Sequence, residues 1–263
     1  MSGKSSAELL AHYRHVSQQL LTIVDVETTG HRATEARVIE ISVLQATLTD
    51  GILHHQTDLI NPQMPVPETI TAFTGISQAM VDQAPPATDL WHRYLPLLNQ
   101  GILTAHNLSF DYAFIQAESD RLGSSFERSR DQQLCTVILS RLMLPELPSR
   151  RLPDLVKHFG FDIHESHRAA ADTLACWFLA QRLLTEIQQE SDAALLNRFT
   201  NQWLPLGDVA TILGCSGREA RDLLYRAGVK PRLMGRHKTP MYQRGKVEQL
   251  RQSLIPSVQL SWF

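Results

Sequence analysis

The sequence predicts an α/β fold: a mixed β-sheet flanked by helices, followed by a small basic module. Three observations support this prediction. Apolar runs of strand length alternate with segments of helical spacing between residues 20 and 190. An Asp50-Gly51 turn separates two β-rich runs, residues 38–48 and 52–60, as in an antiparallel hairpin. Residues 204–253 are basic and show a helix-turn-helix pattern.

Composition restricts the class of protein. The 263 residues, 43% apolar, are enough for one catalytic-sized domain and a smaller one. No apolar run reaches the roughly 18 residues of a membrane-spanning helix. The charged residues 1–19, expected to form a short N-terminal helix, lack the apolar segment of a signal peptide, so we expect a cytoplasmic protein with no membrane partner. The three cysteines, Cys135, Cys176 and Cys215, are far apart and odd in number, which indicates reduced thiols.

Charge is distributed unevenly along the chain. Residues 204–253 contain ten Lys or Arg and four Asp or Glu, a net charge of +6, whereas the whole chain carries −2 and the remainder therefore −8. A basic module beside an acidic body suggests that the module binds a polyanion and the body holds cations.

The first predicted strand carries two carboxylates. Residues 20–26 are mostly apolar and β-branched, and the run ends at Gly30. Because strand side chains alternate between faces, Asp25 and Glu27 must project from the same side, with Val24 and Val26 on the other. Burying unpaired carboxylates costs several kcal/mol each, so a cation or a solvated cleft is expected nearby. A solvated strand end with two incidental acids is the alternative.

A third carboxylate follows a short buried strand at residues 102–105. Ser109 is expected to cap the next helix, which places Asp111 in its first turn, near the positive end of the helix dipole. That position favours an ionised metal ligand, although Asp is also common in first turns for the dipole alone.

Two further helices and one strand complete this part of the chain. A strand at 133–138 precedes a helix at 152–159 that ends at Gly160, and a long helix runs from near Arg168 to about residue 189. Asp172 lies one turn inside that helix and His167 on the loop before it. Ligands gather at the C-terminal ends of strands in such sheets, and Asp25, Glu27 and Asp111 are all expected at such ends.

These motifs resemble those of the DnaQ-like, DEDD-type 3′-to-5′ exonucleases, the family of the proofreading exonuclease of bacterial DNA polymerase III. The matching segments are Asp25-Val26-Glu27-Thr28-Thr29-Gly30, His106-Asn107-Leu108-Ser109-Phe110-Asp111, and His167 with Asp172. The linking Phe73-Thr74-Gly75-Ile76 is similar as well. The resemblance covers about residues 20–190 and implies a ribonuclease H-like sheet. His167 fits the histidine branch, because Arg168 stands where the other branch has Tyr.

The resemblance implies a catalytic site of five residues. Asp25, Glu27, Asp111 and Asp172 form an all-oxygen site suited to two Mg²⁺ or Mn²⁺ ions, which would clamp the scissile phosphate. His167, with an unperturbed pKa near ~6.5, is assigned as general base. The resemblance further implies substrate-binding roles for Thr28, Asn107 and Phe110.

Residues 191–203 are expected to be a linker to the basic helix-turn-helix module, 204–253, which loosely resembles small winged helices. DNA binding there is assigned to Arg218, Arg221, Arg236 and Lys238. A solvated basic face and a protein-docking module are the alternatives.

The tail, residues 254–263, ends in a peptide that resembles the one by which replication and repair proteins bind the bacterial sliding clamp. An exposed Trp-Phe end is unusual unless it fills a pocket, and folding back onto the body is the alternative. The residues concerned are Gln259, Leu260, Trp262 and Phe263.

The expected function is therefore a metal-dependent 3′-to-5′ exonuclease that acts on DNA 3′ ends in proofreading or repair, with a partner polymerase. An exoribonuclease and a catalytically inert nucleic-acid-binding adaptor are the competing hypotheses.

Overall fold

The structure is a computed structural model, and it describes residues 3–163, 168–235 and 237–254. The chain divides into two compact units. One spans Arg14–Gln188, and the other combines Met1–Tyr13 with Gln189–Phe263. Among the described residues no helix is both long and apolar enough to cross a membrane. The three cysteines are free, and Cys176 is buried.

A five-stranded mixed sheet forms the centre of the first unit. Its strands are β1 (Leu21–Thr28), β2 (Val38–Thr47), β3 (Gly51–Leu59), β4 (Ile102–Ala105) and β5 (Gln133–Cys135). The order is β3-β2-β1-β4-β5. β1 is antiparallel to β2 and parallel to β4, while β3 extends β2 antiparallel and β5 extends β4 parallel. This arrangement confirms the predicted α/β fold with a mixed sheet, including the hairpin at Asp50-Gly51.

Helices flank this sheet and cover its apolar side chains. They are α2 (Glu68–Thr74), α3 (Gln78–Asp82), α4 (Ala87–Leu98), α5 (Leu108–Arg121), α6 (Thr136–Met143), α7 (Leu152–Phe159) and α8 (Ala169–Gln189), and the helix α1 (Ser6–Val16) precedes β1 in the chain. Val24 and Val26 pack in the main core with Trp91 and Tyr94 of α4 and Phe114 of α5. Since strand side chains alternate, Asp25 and Glu27 point to the opposite face.

Two local predictions were wrong, and a third segment contains more structure than expected. The strand expected at 133–138 ends at Cys135, and α6 begins at Thr136. Ser109 does not cap α5, because the helix begins at Leu108 and the capping position is Asn107, at φ 75°. The segment 191–203, expected as a linker, contains a helix (Asp192–Thr200) whose first turn is capped by the Ser191 hydroxyl.

The second unit contains the helix-turn-helix pattern. Its elements are α9 (Asp192–Thr200), β6 (Trp203–Pro205), α10 (Leu206–Leu213), α11 (Gly217–Arg226), β7 (Arg232–Met234), β8 (Thr239–Gln243) and α12 (Arg244–Leu254). The three strands form an antiparallel sheet in the order β6-β8-β7. The apolar side chains of Val209 and Ile212 on α10 and of Ala220 and Leu224 on α11 are buried in one core.

The N-terminal segment is hydrogen-bonded to α12 of this unit. The Ser6 backbone N–H and hydroxyl both donate to Glu248 Oε1, at 2.8 and 2.9 Å. Arg244 donates to the carbonyl oxygen of Lys4 at 3.0 Å, and Arg251 donates to that of Gly3 at 3.2 Å. The basic side chains Arg244 and Arg251 thus make contacts within the unit.

Candidate active site

The two carboxylates of β1 lie where the strand alternation predicts. β1 is the central strand, and its C-terminal half pairs Asp25 with Ser42 and Glu27 with Glu40 of β2. The intervening Val26 is buried on the apolar side, whereas Asp25 and Glu27 are half-buried on the other. The sequence motif therefore produces two acidic side chains on one face of the strand.

Asp111 approaches the same strand from α5. Because β1 and β4 are parallel, the helix that follows β4 starts at the C-terminal edge of β1. Asp111 is in the first turn of α5 and is buried, and its Oδ1 accepts a 3.2 Å hydrogen bond from the Val26 backbone N–H. This bond fixes Asp111 at the residue between Asp25 and Glu27.

Asp172 completes the acidic cluster from α8. Its backbone N–H donates to the Arg168 carbonyl at 3.0 Å, as expected for the first turn of a helix. Carboxylate oxygens of Asp25, Glu27 and Asp172 all lie within 4.8 Å of one another. The structure thus brings together all four predicted carboxylates. Oxygens of three lie within 4.8 Å of one another, and the fourth, Asp111, accepts from the backbone between Asp25 and Glu27.

Burial and mutual repulsion disfavour the charged forms of these groups. Burial raises the pKa of Glu27 to about 8, with the charge of Asp172 as the next cause. Burial also raises the pKa of Asp25, which the charges of Asp111 and Asp172 raise further. Burial raises the pKa of Asp111 as well, although the hydrogen bond from the Val26 N–H lowers it. The cluster must therefore bind protons or cations at neutral pH.

The donor set fits divalent metal ions. All four side chains offer carboxylate oxygens, the ligands that Mg²⁺ and Mn²⁺ prefer in proteins. The three oxygens within 4.8 Å could coordinate one cation together, and a cation would remove the electrostatic cost just described.

His106, the histidine of the second motif, is held by structural contacts. Its Nε2 lies 2.8 Å from the Arg150 carbonyl oxygen and its Nδ1 lies 2.9 Å from Thr136 Oγ1. Because a carbonyl can only accept, Nε2 carries the proton and Nδ1 accepts from the hydroxyl. Burial lowers the pKa of His106 to about 4. The imidazole is therefore neutral, and both of its nitrogens are hydrogen-bonded.

An ion pair that the sequence analysis did not find lies beside the cluster. Glu40, opposite Glu27 in the sheet, accepts from Arg168 Nη2 at 2.6 Å and from the Ala169 backbone N–H at 2.8 Å. An acidic residue inside the otherwise largely apolar β2 run was the available signal, because a buried acid needs a partner.

The structure gives positions for the three expected substrate-binding residues. Asn107 is exposed, and Phe110 is half-buried with its ring centroid 4.9 Å from that of Phe114. Thr28 is buried and its hydroxyl donates to the Gly30 carbonyl at 2.7 Å. Its hydroxyl proton is therefore used in the turn after β1. His167 lies outside the described residues.

In the basic module, Arg218 and Arg221 are exposed on α11 and Lys238 is exposed in the β7–β8 turn. Arg236 and the tail residues Gln259, Leu260, Trp262 and Phe263 lie outside the described part of the chain.

A family model for exonucleases of the RNase T type matches residues 22–179. The match covers more than half of the chain and all of the acidic cluster, and the chain therefore belongs to this exonuclease family. This confirms the family that the three motifs indicated.

Several relatives are DNA polymerases of the PolC type. The chain is 28% identical over 263 residues to DNA polymerase III PolC-type of Caldanaerobacter subterraneus subsp. tengcongensis, an alignment that covers 97% of this chain and 18% of the relative. The corresponding protein of Bacillus subtilis is 29% identical over 180 residues, 68% of this chain and 12% of the relative. The chain thus spans less than a fifth of the length of these curated relatives.

Solved nuclease structures share the fold. E. coli exonuclease I, in a zinc-bound complex with single-stranded DNA, superposes with a TM-score of 0.58 at 18% identity, covering 70% of this chain and 44% of that one. Cell-death related nuclease 4 gives a TM-score of 0.53 at 15% identity, and the superposition covers 63% of this chain and 64% of that one. At these identities the comparison shows a common fold.

Proposed function

We propose that this protein is a metal-dependent 3′-to-5′ exonuclease of the DEDDh type that hydrolyses phosphodiester bonds at DNA 3′ ends. The observation that carries the proposal is the convergence of three carboxylates from β1 and α8 within 4.8 Å, with Asp111 hydrogen-bonded to Val26 between the two acids of β1. Membership of the exonuclease family supports the same conclusion.

Asp25, Glu27, Asp111 and Asp172 would hold two Mg²⁺ or Mn²⁺ ions. When bound, such ions would neutralise charge on the scissile phosphate and make a water molecule more acidic. The carboxylates would orient the cations and, once paired with them, would remain ionised at neutral pH. The apolar packing behind β1 keeps the strand, and with it Asp25 and Glu27, in place.

His167 is proposed as the general base that accepts the proton of the attacking water. It directly precedes Arg168, whose guanidinium is bound by Glu40. An unperturbed imidazole with pKa near ~6.5 is well matched to proton transfer at neutral pH. His106 is a poor candidate for this task, because both of its nitrogens are hydrogen-bonded.

The terminal nucleotide would lie against the loop after β1 and the start of α5. Asn107 is exposed at the capping position before that helix, and Phe110 presents a partly exposed ring for stacking against a base. Thr28 would contribute through its oxygen as an acceptor, since its proton is bound by Gly30.

The basic module is proposed to bind DNA. Arg218 and Arg221 lie on the second helix of the helix-turn-helix and Lys238 on the β7–β8 turn, all exposed, and Arg236 is assigned to the same role. Phosphate contacts by such side chains supply affinity that does not depend on sequence. A small helix-turn-helix with an adjoining hairpin suits this role.

The partner in proofreading or repair would be a DNA polymerase, as the PolC-type relatives suggest. Gln259, Leu260, Trp262 and Phe263 are proposed to bind the sliding clamp. A clamp pull-down that survives removal of residues 259–263 would refute that second contact.

The experiment is a digestion of matched DNA and RNA oligonucleotides labelled at either end, with Mg²⁺, Mn²⁺ or EDTA. The proposal predicts stepwise shortening of 5′-labelled DNA with divalent ions and none in EDTA. Faster digestion of RNA would reverse the substrate assignment, and no digestion of either would support an inert adaptor.

A further inference from the structure

Glu40 is a charged residue buried in the second strand of the sheet. Its side chain is 2% exposed, and every hydrogen bond described for it leads to the start of α8. Arg168 donates from Nη2 to Oε1 at 2.6 Å, and the Ala169 backbone N–H donates to Oε2 at 2.8 Å. Both carboxylate oxygens are therefore engaged, which leaves Glu40 poorly placed to be a metal ligand itself.

The contact suits the electrostatics of a helix terminus. α8 begins at Ala169, so its backbone N–H is one of the donors that the helix leaves unpaired. A carboxylate at this end is stabilised by the helix dipole, and the guanidinium offsets the cost of burying the charge. Glu40 thus caps a helix from a strand that is 129 residues away in the sequence.

Each end of this contact adjoins a residue of the acidic cluster. In β2, Glu40 is the direct partner of Glu27 across the strand pair. In α8, the Arg168 carbonyl accepts from the Asp172 backbone N–H at 3.0 Å, which closes the first turn of the helix. Displacing Arg168 and Ala169 from Glu40 would consequently move Asp172 relative to Asp25 and Glu27.

We propose that Glu40 is a positioning residue for the metal site: through Arg168 and Ala169 it holds the first turn of α8 so that Asp172 stays within coordination distance of Asp25 and Glu27. The inference rests on the metal site of the proposed function and adds a residue that acts on it indirectly. Outer partners of metal ligands typically contribute about 10- to 100-fold to metal affinity.

The test is Mn²⁺ binding measured by isothermal titration calorimetry on the full chain. Glu40→Gln keeps the size of the side chain and removes its charge, and we expect it to weaken Mn²⁺ binding by roughly 10- to 100-fold. Arg168→Gln changes a side chain that is 34% exposed and should fold readily, and we expect it to weaken binding in the same direction. Because Glu40 and Arg168 act as one unit, the double variant should lose less Mn²⁺ binding free energy than the two single variants lose in sum.

Glu118→Gln is the matched control. The Glu118 side chain is 1% exposed, accepts from Arg37 at 2.8 and 3.0 Å and accepts from the Val38 backbone N–H at 3.2 Å. Arg121 also donates to Glu118 Oε1 at 3.0 Å. Glu118, on the last part of α5, is therefore a buried acid that is likewise held by arginine and a backbone donor. We expect Glu118→Gln to lower the unfolding temperature as Glu40→Gln does and to leave Mn²⁺ affinity unchanged.

Each outcome separates the two claims. If the wild-type chain binds no Mn²⁺, the proposed metal site fails. If the wild type binds and both Glu40→Gln and Arg168→Gln bind equally well, only the positioning role fails. An equal loss of Mn²⁺ affinity in Glu118→Gln would also overturn the positioning role, because it would reflect general destabilisation. Saturating Mn²⁺ should restore hydrolysis in Glu40→Gln and not in Asp172→Asn, since only the latter lacks a ligand.

Discussion

The backbone N–H of Val26 donates a 3.2 Å hydrogen bond to Asp111 Oδ1. The two residues are 85 positions apart in the sequence, and the bond joins the second acidic motif to the strand that carries the first. Asp25 and Glu27 flank the donor, so Asp111 of α5 meets the two acids of β1 at one short stretch of that strand. The arrangement of the site therefore depends on a backbone contact as well as on its carboxylates.

Replacing Asp111 tests the two roles of this side chain separately. Asp111→Asn can keep the acceptor for Val26 and loses the charge, whereas Asp111→Ala loses both. We expect both to reduce exonuclease activity by more than about 100-fold, because even outer partners of metal ligands contribute 10- to 100-fold. Only Asp111→Ala should also lower the unfolding temperature measured without metal. Activity retained in Asp111→Asn would exclude Asp111 as a ligand.

The raised pKa values predict a pH-dependent loss of stability in the metal-free protein. Glu27 has an ordinary pKa of 4.5 and a folded pKa of about 8, so the folded state binds more protons between these values. Stability therefore declines as pH rises from about 4.5 to 8, by on the order of 1–3 kcal/mol after allowance for solvent screening. Unfolding temperatures at several pH values in EDTA measure this decline.

Two controls identify the cluster as the source of the decline. Glu27→Gln should flatten the pH dependence in EDTA, and Mn²⁺ should stabilise the wild type more at pH 8 than at pH 5 because protons compete for its ligands. A decline of equal slope in Glu27→Gln would assign the effect to other groups.

The acid limb of the pH–rate profile tests the general base. His167→Gln should lower the rate by about 10²- to 10⁴-fold and remove the limb near the ~6.5 pKa of an ordinary imidazole. His106→Gln should keep that limb, because burial already lowers the pKa of His106 to about 4. If the limb remained in His167→Gln, the base would have to be another group.

Salt dependence tests the basic module. Each phosphate contact contributes about 0.9 to the slope of log affinity against log salt for duplex DNA, so Arg218→Ala with Arg221→Ala should reduce the slope by about 2. Lys246→Ala, an exposed charge on α12 of the same unit, is the control and should change the slope less. An unchanged slope in the double variant would favour a docking role for the module.

Much of the fold and of the carboxylate set followed from local pattern. Strand alternation placed Asp25 and Glu27 on one face, and helical spacing placed Asp172 one turn into α8. The limits of β5 did not follow, because a short apolar run such as residues 133–144 suits a strand or a helix equally. The start of α5 also differed from the prediction that Ser109 caps the helix. Asn107 takes the capping position in a left-handed conformation, which asparagine tolerates better than most residues.

The partners of Glu40 could not be predicted from the sequence pattern. An acid inside a buried run signals that a partner exists, but its partners at Arg168 and Ala169 depend on how α8 packs against β2. Pairings across more than a hundred residues arise from the tertiary fold and leave no local periodicity to read. The helix Asp192–Thr200 is different, since the Ser191 cap before it was present in the sequence and was available as a signal.

Anomalous diffraction from crystals grown with Mn²⁺ can show whether the four carboxylates share a pair of divalent cations. We expect two Mn²⁺ peaks within about 4 Å of each other, bound by Asp25, Glu27, Asp111 and Asp172. Crystals at millimolar Mn²⁺ with no peak among these side chains would rule out the shared metal site.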